Sequence, residues 1–74
     1  MTAPSLTHTI EGSSLLASVA YSHLATLDVT FRRGARYRYF AVPASVVRDL
    51  LAAPSAGTYF NRAIRPRFRY QRLV

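Results

Sequence analysis

With 74 residues, the chain has room for one domain, near the size at which a single core gives roughly a few kcal/mol of net stability. It contains no cysteine, which excludes disulfide bonds and thiolate metal sites as the means of stabilising the fold. No stretch approaches the roughly 20 apolar residues that span a bilayer, and the N-terminus lacks the basic start and apolar run of a signal peptide, so we expect a cytoplasmic protein.

The charge is unevenly placed along the chain. Residues 1–31 contain two acids and no basic residue, whereas residues 32–74 contain ten arginines and one aspartate, a net charge of +9. This asymmetry favours a polyanionic partner, either RNA or single-stranded nucleic acid or an acidic surface of another protein. Every basic residue is arginine, whose planar fork suits phosphates and stacks on bases. GC-rich codon usage would produce the same bias, so both explanations stay open.

The first 14 residues contain Ser, Thr and Pro and show little periodicity, so we expect a flexible leader over residues 1–14 and a single domain over residues 15–74. Leu15 to Ser22, LLASVAYS, is predicted to form the first strand, with a helix over residues 15–20 as the alternative. Ser22 and His23 are then expected to turn the chain into a second strand.

Leu27 to Phe40, LDVTFRRGARYRYF, predicts a β-hairpin. Apolar and polar residues alternate through Leu27, Val29 and Phe31, which is the period of a half-buried strand. Gly34 can take the positive φ that a tight turn requires, and the alternation then restarts on the return strand.

The length of the hairpin loop decides which residues share a face. A two-residue turn would place Phe31 opposite Arg36, whereas a three-residue loop over residues 32–34 would place Val29 opposite Tyr37. A slip of one residue moves every side chain to the other face, so the hydrophobic pattern favours the three-residue, bulged loop. This register predicts an apolar face of Leu27, Val29, Phe31, Tyr37 and Tyr39 and an opposite face of Asp28, Thr30, Arg36, Arg38 and Phe40.

Two helices are predicted after the hairpin. Pro43 suits the first turn of a helix, where its missing N–H costs nothing, and Pro54 ends that helix because the residue before a proline is kept out of the α region. Ser55 is expected to cap a second helix over residues 56–64, which Pro66 ends in the same way. The apolar residues of the first helix form one stripe, Val46, Val47, Leu50 and Leu51.

The last segment, RFRYQRL, alternates strictly and predicts a closing strand over residues 67–73. Its side chains divide between two faces, Phe68 and Tyr70 on one and Arg67, Arg69 and Gln71 on the other. The expected fold is therefore a small α+β domain, with a mostly antiparallel sheet of about four strands and two short helices packed on its apolar face.

Short motifs follow one another in a definite order over residues 14–73: VAY, LDVTFRRG, the YRY triplet, VP, SAGTYFN and the closing FRYQRL. This order resembles the KTSC domain family, named for its occurrence at the C-terminus of some lysyl-tRNA synthetases and also found as free-standing small proteins of bacteria and phages. The resemblance implies RNA binding, which has been suggested for the family because of the synthetase connection, and it supplies no catalytic residue. The family-motif residues, which we expect to be structural, are Tyr37, Tyr39, Gly57, Tyr59, Phe60 and Asn61.

The candidate binding site is a basic sheet face. Two predicted strands carry arginines on the side turned away from the core, and the second helix carries more near its end. Each phosphate that these side chains neutralise would add salt-sensitive affinity, and an aromatic ring beside them would stack on a base, a contact worth about 1–3 kcal/mol. The alternative is that the arginines only solvate an exposed face. The expected nucleic-acid-binding residues are Arg36, Arg38, Phe40, Arg62, Arg65, Arg67 and Arg69.

The tyrosines of the YRY triplet and the asparagine of the SAGTYFN motif could each have either a binding role or a structural role. Tyr37 and Tyr39 would stack on bases if they faced solvent, as aromatic residues do on some RNA-binding sheets, but the bulged register turns them toward Leu27 and Val29 and favours a place in the core. Asn61 would either contact a base or a phosphate, or make a backbone hydrogen bond that fixes the second helix; we favour the latter.

Catalysis is not expected. The sequence has no paired carboxylates, no nucleophile with an activating base, no phosphate-binding glycine loop and no cluster of metal ligands, and its two histidines stand alone. We therefore predict no enzyme activity, no cofactor and no metal. The expected function is a binding module for RNA or single-stranded nucleic acid. The alternative is a protein-interaction module that docks on an acidic surface of a partner such as a nucleic-acid enzyme.

Overall fold

One antiparallel sheet of five strands carries both helices on the same face. The computed structural model describes residues 6–74, with side chains from Thr7 onward. The strands, which are neighbours in chain order, are β1 (Leu6–Thr9), β2 (Leu16–Tyr21), β3 (Leu27–Phe31), β4 (Arg36–Tyr39) and β5 (Tyr70–Arg72). The helices are α1 (Ala44–Ala52) and α2 (Ala56–Tyr59), the second of which continues as a π-helical segment (Phe60–Ile64). This architecture confirms the predicted α+β class.

The β3–β4 hairpin has the predicted bulged register, in which Val29 lies opposite Tyr37. The Phe31 N–H donates to the Ala35 carbonyl oxygen at 2.8 Å, and the Gly34 N–H donates to the Phe31 carbonyl oxygen at 2.9 Å. Gly34 has a φ of +100°, which its missing Cβ permits. The three-residue loop therefore places the tyrosines of β4 on the same face as the apolar residues of β3.

The prediction of a flexible leader over residues 1–14 is wrong for residues 6–9, which form β1. Pairing with β2 produces this strand, since His8 lies opposite Val19 and Thr9 lies opposite Ser18. The first predicted strand corresponds to β2, whose pairing on both sides rules out the helical alternative for that segment. The described sheet consequently has five strands instead of four, and residues 1–5 of the expected leader lie outside the described part of the chain.

Prolines determine both ends of α1, as the sequence indicates. Pro43 has extended backbone (φ −65°, ψ 151°) and is the residue before the helix, so it precedes the first turn that it was expected to occupy. Ala53 is extended (φ −68°, ψ 140°) because Pro54 follows it. Val47 and Leu50 are buried, which aligns the apolar stripe of the helix with the sheet.

The second predicted helix, over residues 56–64, is present, but its second half is π-helical. The Ser55 hydroxyl oxygen accepts a hydrogen bond of 3.2 Å from the Thr58 N–H, which confirms the predicted cap. The Arg65 N–H donates to the Phe60 carbonyl oxygen at 2.9 Å, five residues earlier, instead of to the fourth. Phe60 and Ile64 are fully buried, so this wider turn packs directly on the sheet.

The core lies between the helices and one face of the sheet, and no polar or charged residue of the described chain is buried. The opposite face, called the open face below, has no covering element and carries short or charged side chains from β2, β3 and β4, among them Ser18, Asp28, Thr30, Arg36 and Arg38. The buried residues are Ile10, Leu16, Val19, Leu27, Val29, Phe31, Ala35, Tyr39, Val42, Val47, Leu50, Phe60 and Ile64.

The closing strand is shorter than the predicted one over residues 67–73. The Arg67 N–H donates to the Ile64 carbonyl oxygen at 3.1 Å, so Arg67 continues the turn that follows the π-helical segment and does not enter the sheet. Within β5, Tyr70 lies opposite Tyr39 and Gln71 lies opposite Arg38. The alternation of the last segment is therefore realised over three residues only.

Candidate nucleic-acid interface

An ion pair occupies the centre of the open face. Asp28 on β3 lies directly opposite Arg38 on β4, as the register predicts. Arg38 donates from Nε to Asp28 Oδ1 at 2.7 Å and from Nη2 to Asp28 Oδ2 at 3.0 Å, which is a bidentate geometry. The hydrogen bond and the charge of Asp28 raise the pKa of Arg38, and burial acts in the opposite direction. Arg38 is therefore held against the sheet, and much of its charge is neutralised.

The other nine arginines have no Asp or Glu carboxylate within 4.0 Å among the described residues, and all nine are exposed. They all follow residue 31, so β1, β2 and β3 contribute no positive charge to the sheet. Arg36, Arg38 and Arg72 lie on β4 and β5, whereas Arg48 lies on α1 and shares a hollow with His8 and Tyr21, near β1 and β2. Within the sheet, the asymmetry of charge along the sequence is thus also an asymmetry in space.

Three predicted site residues lie together with Arg38 on the open face or at its edge. Arg36 is exposed and lies opposite Thr30. The Phe40 N–H donates to the Arg69 carbonyl oxygen at 2.9 Å, which makes these two residues neighbours just beyond the last residue pair of the β4–β5 ladder. Strand alternation places both side chains on the side of Arg38, and Phe40 is 36% exposed.

The remaining predicted site residues are not part of the open face. The prediction that all the site residues form one basic surface is therefore wrong. Arg67 lies in the turn before β5. Arg62 and Arg65 belong to the π-helical segment and the residue after it, which pack on the opposite, core side of the sheet. The guanidinium carbon of Arg65 lies 6.0 Å from the centroid of the Phe31 ring, a core residue. Helix packing, which the local sequence pattern does not report, separates these arginines from the open face.

The tyrosines of the YRY triplet face the core, as the register favours. Tyr39 is 2% exposed, and Tyr37 is half-buried. The Tyr39 ring meets the Phe60 ring edge to face, with centroids 5.5 Å apart, and Tyr37 meets Phe31 in the same way at 5.5 Å. Burial raises the pKa of Tyr39, the charge of Arg65 lowers it, and the neighbouring tyrosines add to the rise. Tyr39 is a core residue, and Tyr37 lies at the boundary of the core.

The SAGTYFN motif is largely structural. A Cβ on Gly57 would lie 3.4 Å from Ser13 Oγ and 3.5 Å from Leu15 Cβ, which is ordinary van der Waals contact, so packing alone does not require glycine at this position. Phe60 is fully buried, and Tyr59 is half-buried against the core. These positions therefore explain the motif by packing.

Asn61 has a different partner from the expected one. Its side-chain oxygen accepts a hydrogen bond of 3.0 Å from Arg65 Nη1, one turn further along, and not from a backbone N–H. The prediction that Asn61 fixes the helix through the backbone is therefore wrong. Asn61 instead positions the guanidinium of Arg65 beside Phe31.

Sequence reasoning did not assign Tyr70 and Arg72 to a site. Both lie on the core side of β5, because they are opposite Tyr39 and Tyr37, but β5 is the last strand and the helices do not cover it fully. Tyr70 is 58% exposed, and Arg72 is exposed. The alternation of the closing segment places Tyr70 on the apolar face, and Arg72, two residues later, falls on the same face. This spacing was the sequence signal that could have predicted an aromatic and a basic side chain side by side.

No group of three or more His, Cys, Asp or Glu residues within residues 6–74 is arranged to hold a metal ion. None of the helices in the same part of the chain is long and apolar enough to cross a membrane. The hollows on the surface are open; one of about 460 Å³ is lined at the hairpin loop by Arg33, Gly34, Ala35, Arg72 and Val74.

Comparison with known sequences decides the family, because the KTSC domain matches residues 12–68 of this chain. The chain belongs to the KTSC family. It is 46% identical over 63 residues to a protein of Stutzerimonas stutzeri, covering 82% of this chain and 89% of that protein. It is 40% identical over 63 residues to a lysine–tRNA ligase of Nostoc punctiforme, covering 85% of this chain and 11% of the ligase. A crystal structure of a KTSC domain protein from Yersinia pestis has the same fold, with a TM-score of 0.88 and 24% identity over 96% of this chain and 100% of that one.

Proposed function

We propose that this KTSC protein is a cytoplasmic binding module, without catalytic activity or cofactor, for RNA or other single-stranded nucleic acid. The observation that carries this is the number of arginines without an acidic partner: nine exposed arginine side chains have no Asp or Glu partner in the described structure, and all nine follow β3 in the sequence. Several of these arginines lie on or beside β4 and β5 of the sheet, where Asp28 is the nearby acid, and such a basic patch favours a polyanionic partner.

The open face supplies the phosphate contacts. Arg36 projects from β4 and Arg69 from the residue before β5, neither has an Asp or Glu partner, and Arg38 lies between them. Arginine binds phosphate oxygens through two parallel N–H donors, and each contact releases a counterion from the nucleic acid. The affinity should therefore fall with salt, with a slope that reports the number of phosphates contacted.

Phe40 supplies an exposed aromatic ring beside Arg69. A base that stacks on such a ring contributes about 1–3 kcal/mol in proteins that bind single strands, and stacking requires unpaired bases. A ring next to phosphate-binding arginines favours a single strand over a duplex. The similarity to a region of proteins named lysine–tRNA ligase agrees with RNA as the partner.

Fluorescence anisotropy with a labelled uridine oligonucleotide of about 12 residues tests this function, because single-strand sites commonly span about 4–16 nucleotides. The variant Arg36→Gln/Arg69→Gln should bind more weakly than wild type, and its salt slope should be smaller by about 1.4 if two phosphate contacts are lost. The matched control is Arg48→Gln, which removes an exposed arginine from α1 and should leave the slope unchanged.

A different result would favour docking on an acidic protein. If the wild-type protein shows no salt-dependent affinity for the oligonucleotide but binds poly-glutamate with an affinity that depends on Arg36 and Arg69, the nucleic-acid function is wrong. The double variant removes two charges and Arg48→Gln removes one, so a loss of binding free energy in Arg48→Gln that is half the loss in the double variant would show that only net charge matters and that the open face has no special role.

A further inference from the structure

A second group of aromatic and basic residues lies on the other side of β5 from the open face. We call it the edge cluster, and it consists of Tyr37, Tyr70, Arg65 and Arg72. Tyr70 and Arg72 come from β5, where they pair with Tyr39 and Tyr37 on β4. Arg65 comes from the end of the π-helical segment. None of the residues of the open face belongs to this group.

Tyr70 is the exposed aromatic of the edge cluster. Its ring centroid lies 5.5 Å from that of Tyr37 and 5.6 Å from that of Tyr39, with ring planes inclined by 48° and 39°. These contacts fix the inner side of the ring, yet 58% of the residue remains exposed. A planar group that approaches from solvent therefore meets a ring whose orientation is already determined.

Two guanidinium groups flank this ring system. The Cζ atom of Arg72 lies 5.9 Å from the Tyr37 centroid, and Arg72 Nε donates to the main-chain oxygen of Val74, the last residue of the sequence, at 3.1 Å. The Cζ atom of Arg65 lies 6.0 Å from the Phe31 centroid and is oriented by Asn61. Neither arginine has an Asp or Glu partner in the described structure, and each keeps guanidinium N–H donors beyond the hydrogen bond that it makes, so both can bind an anion.

We propose that the edge cluster is a nucleotide subsite, in which a base stacks on Tyr70 and the adjoining phosphates contact Arg72 and Arg65. An exposed, oriented ring in one aromatic cluster with two cations, one over Tyr37 and one over Phe31, matches the alternation of flat bases and phosphates in a single strand. An acidic peptide would use the cations and leave the ring without a role. Arg33 extends the basic surface, since it shares with Arg72 the hollow at the hairpin loop.

The edge cluster takes this role only if the protein binds nucleic acid as proposed above. It then defines the path that the bound nucleic acid follows over the protein surface. Successive residues of β5 point to opposite faces, so Gln71 lies beside Arg38 on the open face while Tyr70 and Arg72 lie on the other. A bound single-stranded nucleic acid contacts both the open face and the edge cluster by passing over the outer edge of β5. The outer edge of β5 has no neighbouring strand in the described sheet, so the path is open.

The test compares two oligonucleotides with the same number of phosphates, one of uridines and one in which every base is absent. Tyr70→Leu keeps an apolar side chain but removes the ring. It should weaken binding of the uridine oligonucleotide by roughly 5- to 150-fold, the range expected for loss of one stacked base, and leave the abasic one unchanged. Tyr70→Phe should retain wild-type affinity. Because Tyr70 is more than half exposed, the melting temperature of both variants should stay close to that of wild type and confirm that they are folded.

The outcomes separate this site from the general function. If wild type binds both oligonucleotides equally and Tyr70→Leu changes neither, the protein binds nucleic acid but the subsite is wrong. An equal loss for both oligonucleotides would also overturn it, because stacking requires a base. If wild type binds neither oligonucleotide, the proposed function and the subsite both fail.

Discussion

Asp28 and Arg38 face each other across β3 and β4 and are joined by two hydrogen bonds, at 2.7 and 3.0 Å. Asp28 is the only acid among the residues that the structure places on the open face. The pair therefore limits the positive potential of the surface that we propose for phosphate binding. It also keeps the Arg38 side chain extended across the neighbouring strand.

The change Asp28→Asn should tighten nucleic-acid binding, because it removes the competing carboxylate and releases the guanidinium of Arg38. A unit charge at close range in water is worth about 1 kcal/mol, so an increase in affinity of about fivefold is expected at low salt. The salt slope should rise by about 0.7 if Arg38 gains a phosphate. Asp49→Asn on α1 makes the same change in net charge; an equal effect of both variants would contradict a specific role for the pair.

Gly34→Ala should destabilise the protein through the backbone alone. Gly34 has a φ of +100°, and nothing lies within 4 Å of the position that a Cβ would take. An L-residue in the left-handed region costs about 1–2 kcal/mol, so the free energy of unfolding in urea should fall by about this amount. Gly34→Asn should cost less, because asparagine tolerates such φ values better. Wild-type stability of the alanine variant would show that the loop has an alternative conformation.

Ala41→Gly should stabilise the protein, or at least cost nothing. Ala41 is exposed between β4 and α1 with a φ of +57°, so glycine relieves backbone strain without loss of packing. The relief of about 1–2 kcal/mol exceeds the entropy penalty of about 0.5–1 kcal/mol that glycine adds. Ala52→Gly, at an exposed position of α1, should instead lower the free energy of unfolding by about 1 kcal/mol. Urea titrations of both variants would decide, and a loss in both would contradict strain at Ala41.

Tyr39 should make the stability fall in alkaline solution. Burial raises its pKa above the ordinary value of about 10, so the native state holds the proton more tightly than the unfolded chain. The stability that the protonated Tyr39 hydroxyl contributes is complete below about pH 10 and is lost as the pH rises through the raised pKa. In Tyr39→Phe the fall in unfolding free energy between pH 9 and 11, bracketing the ordinary value of about 10, should be smaller than in wild type. Equal slopes in both proteins would mean that other groups cause the fall.

The parts of the fold that follow local rules were predictable from the sequence. The register of the hairpin follows from the requirement that Val29 and Tyr37 share the buried face, and Gly34 provides the loop that this register needs. Pro54 determines the end of α1 in the same local way. The assignment of Tyr39 to the core follows from the register alone.

The parts that depend on distant contacts were not predictable. β1 contains Thr7-His8-Thr9, which has no apolar alternation, and it forms because the exposed edge of β2 offers backbone hydrogen bonds. Arg67 fits the alternation of a strand, but its N–H is taken by Ile64 from the preceding helical segment. The exposure of Tyr70 depends on how far the helices extend over the sheet, which no local pattern encodes.

The arginines of the sheet lie on β4 and β5 alone, while β3 carries Asp28, so the sheet has a permanent electric dipole whose positive end is the β4–β5 side. A polyanion that approaches by diffusion exerts a torque on this dipole before any hydrogen bond forms. The Debye length of about 8 Å at physiological ionic strength is shorter than the smallest dimension of the molecule, 21 Å, so the orientation acts only during the last part of the approach. Lower salt lengthens the distance over which this orientation acts. The association rate constant should therefore depend more steeply on salt concentration than the dissociation rate constant does.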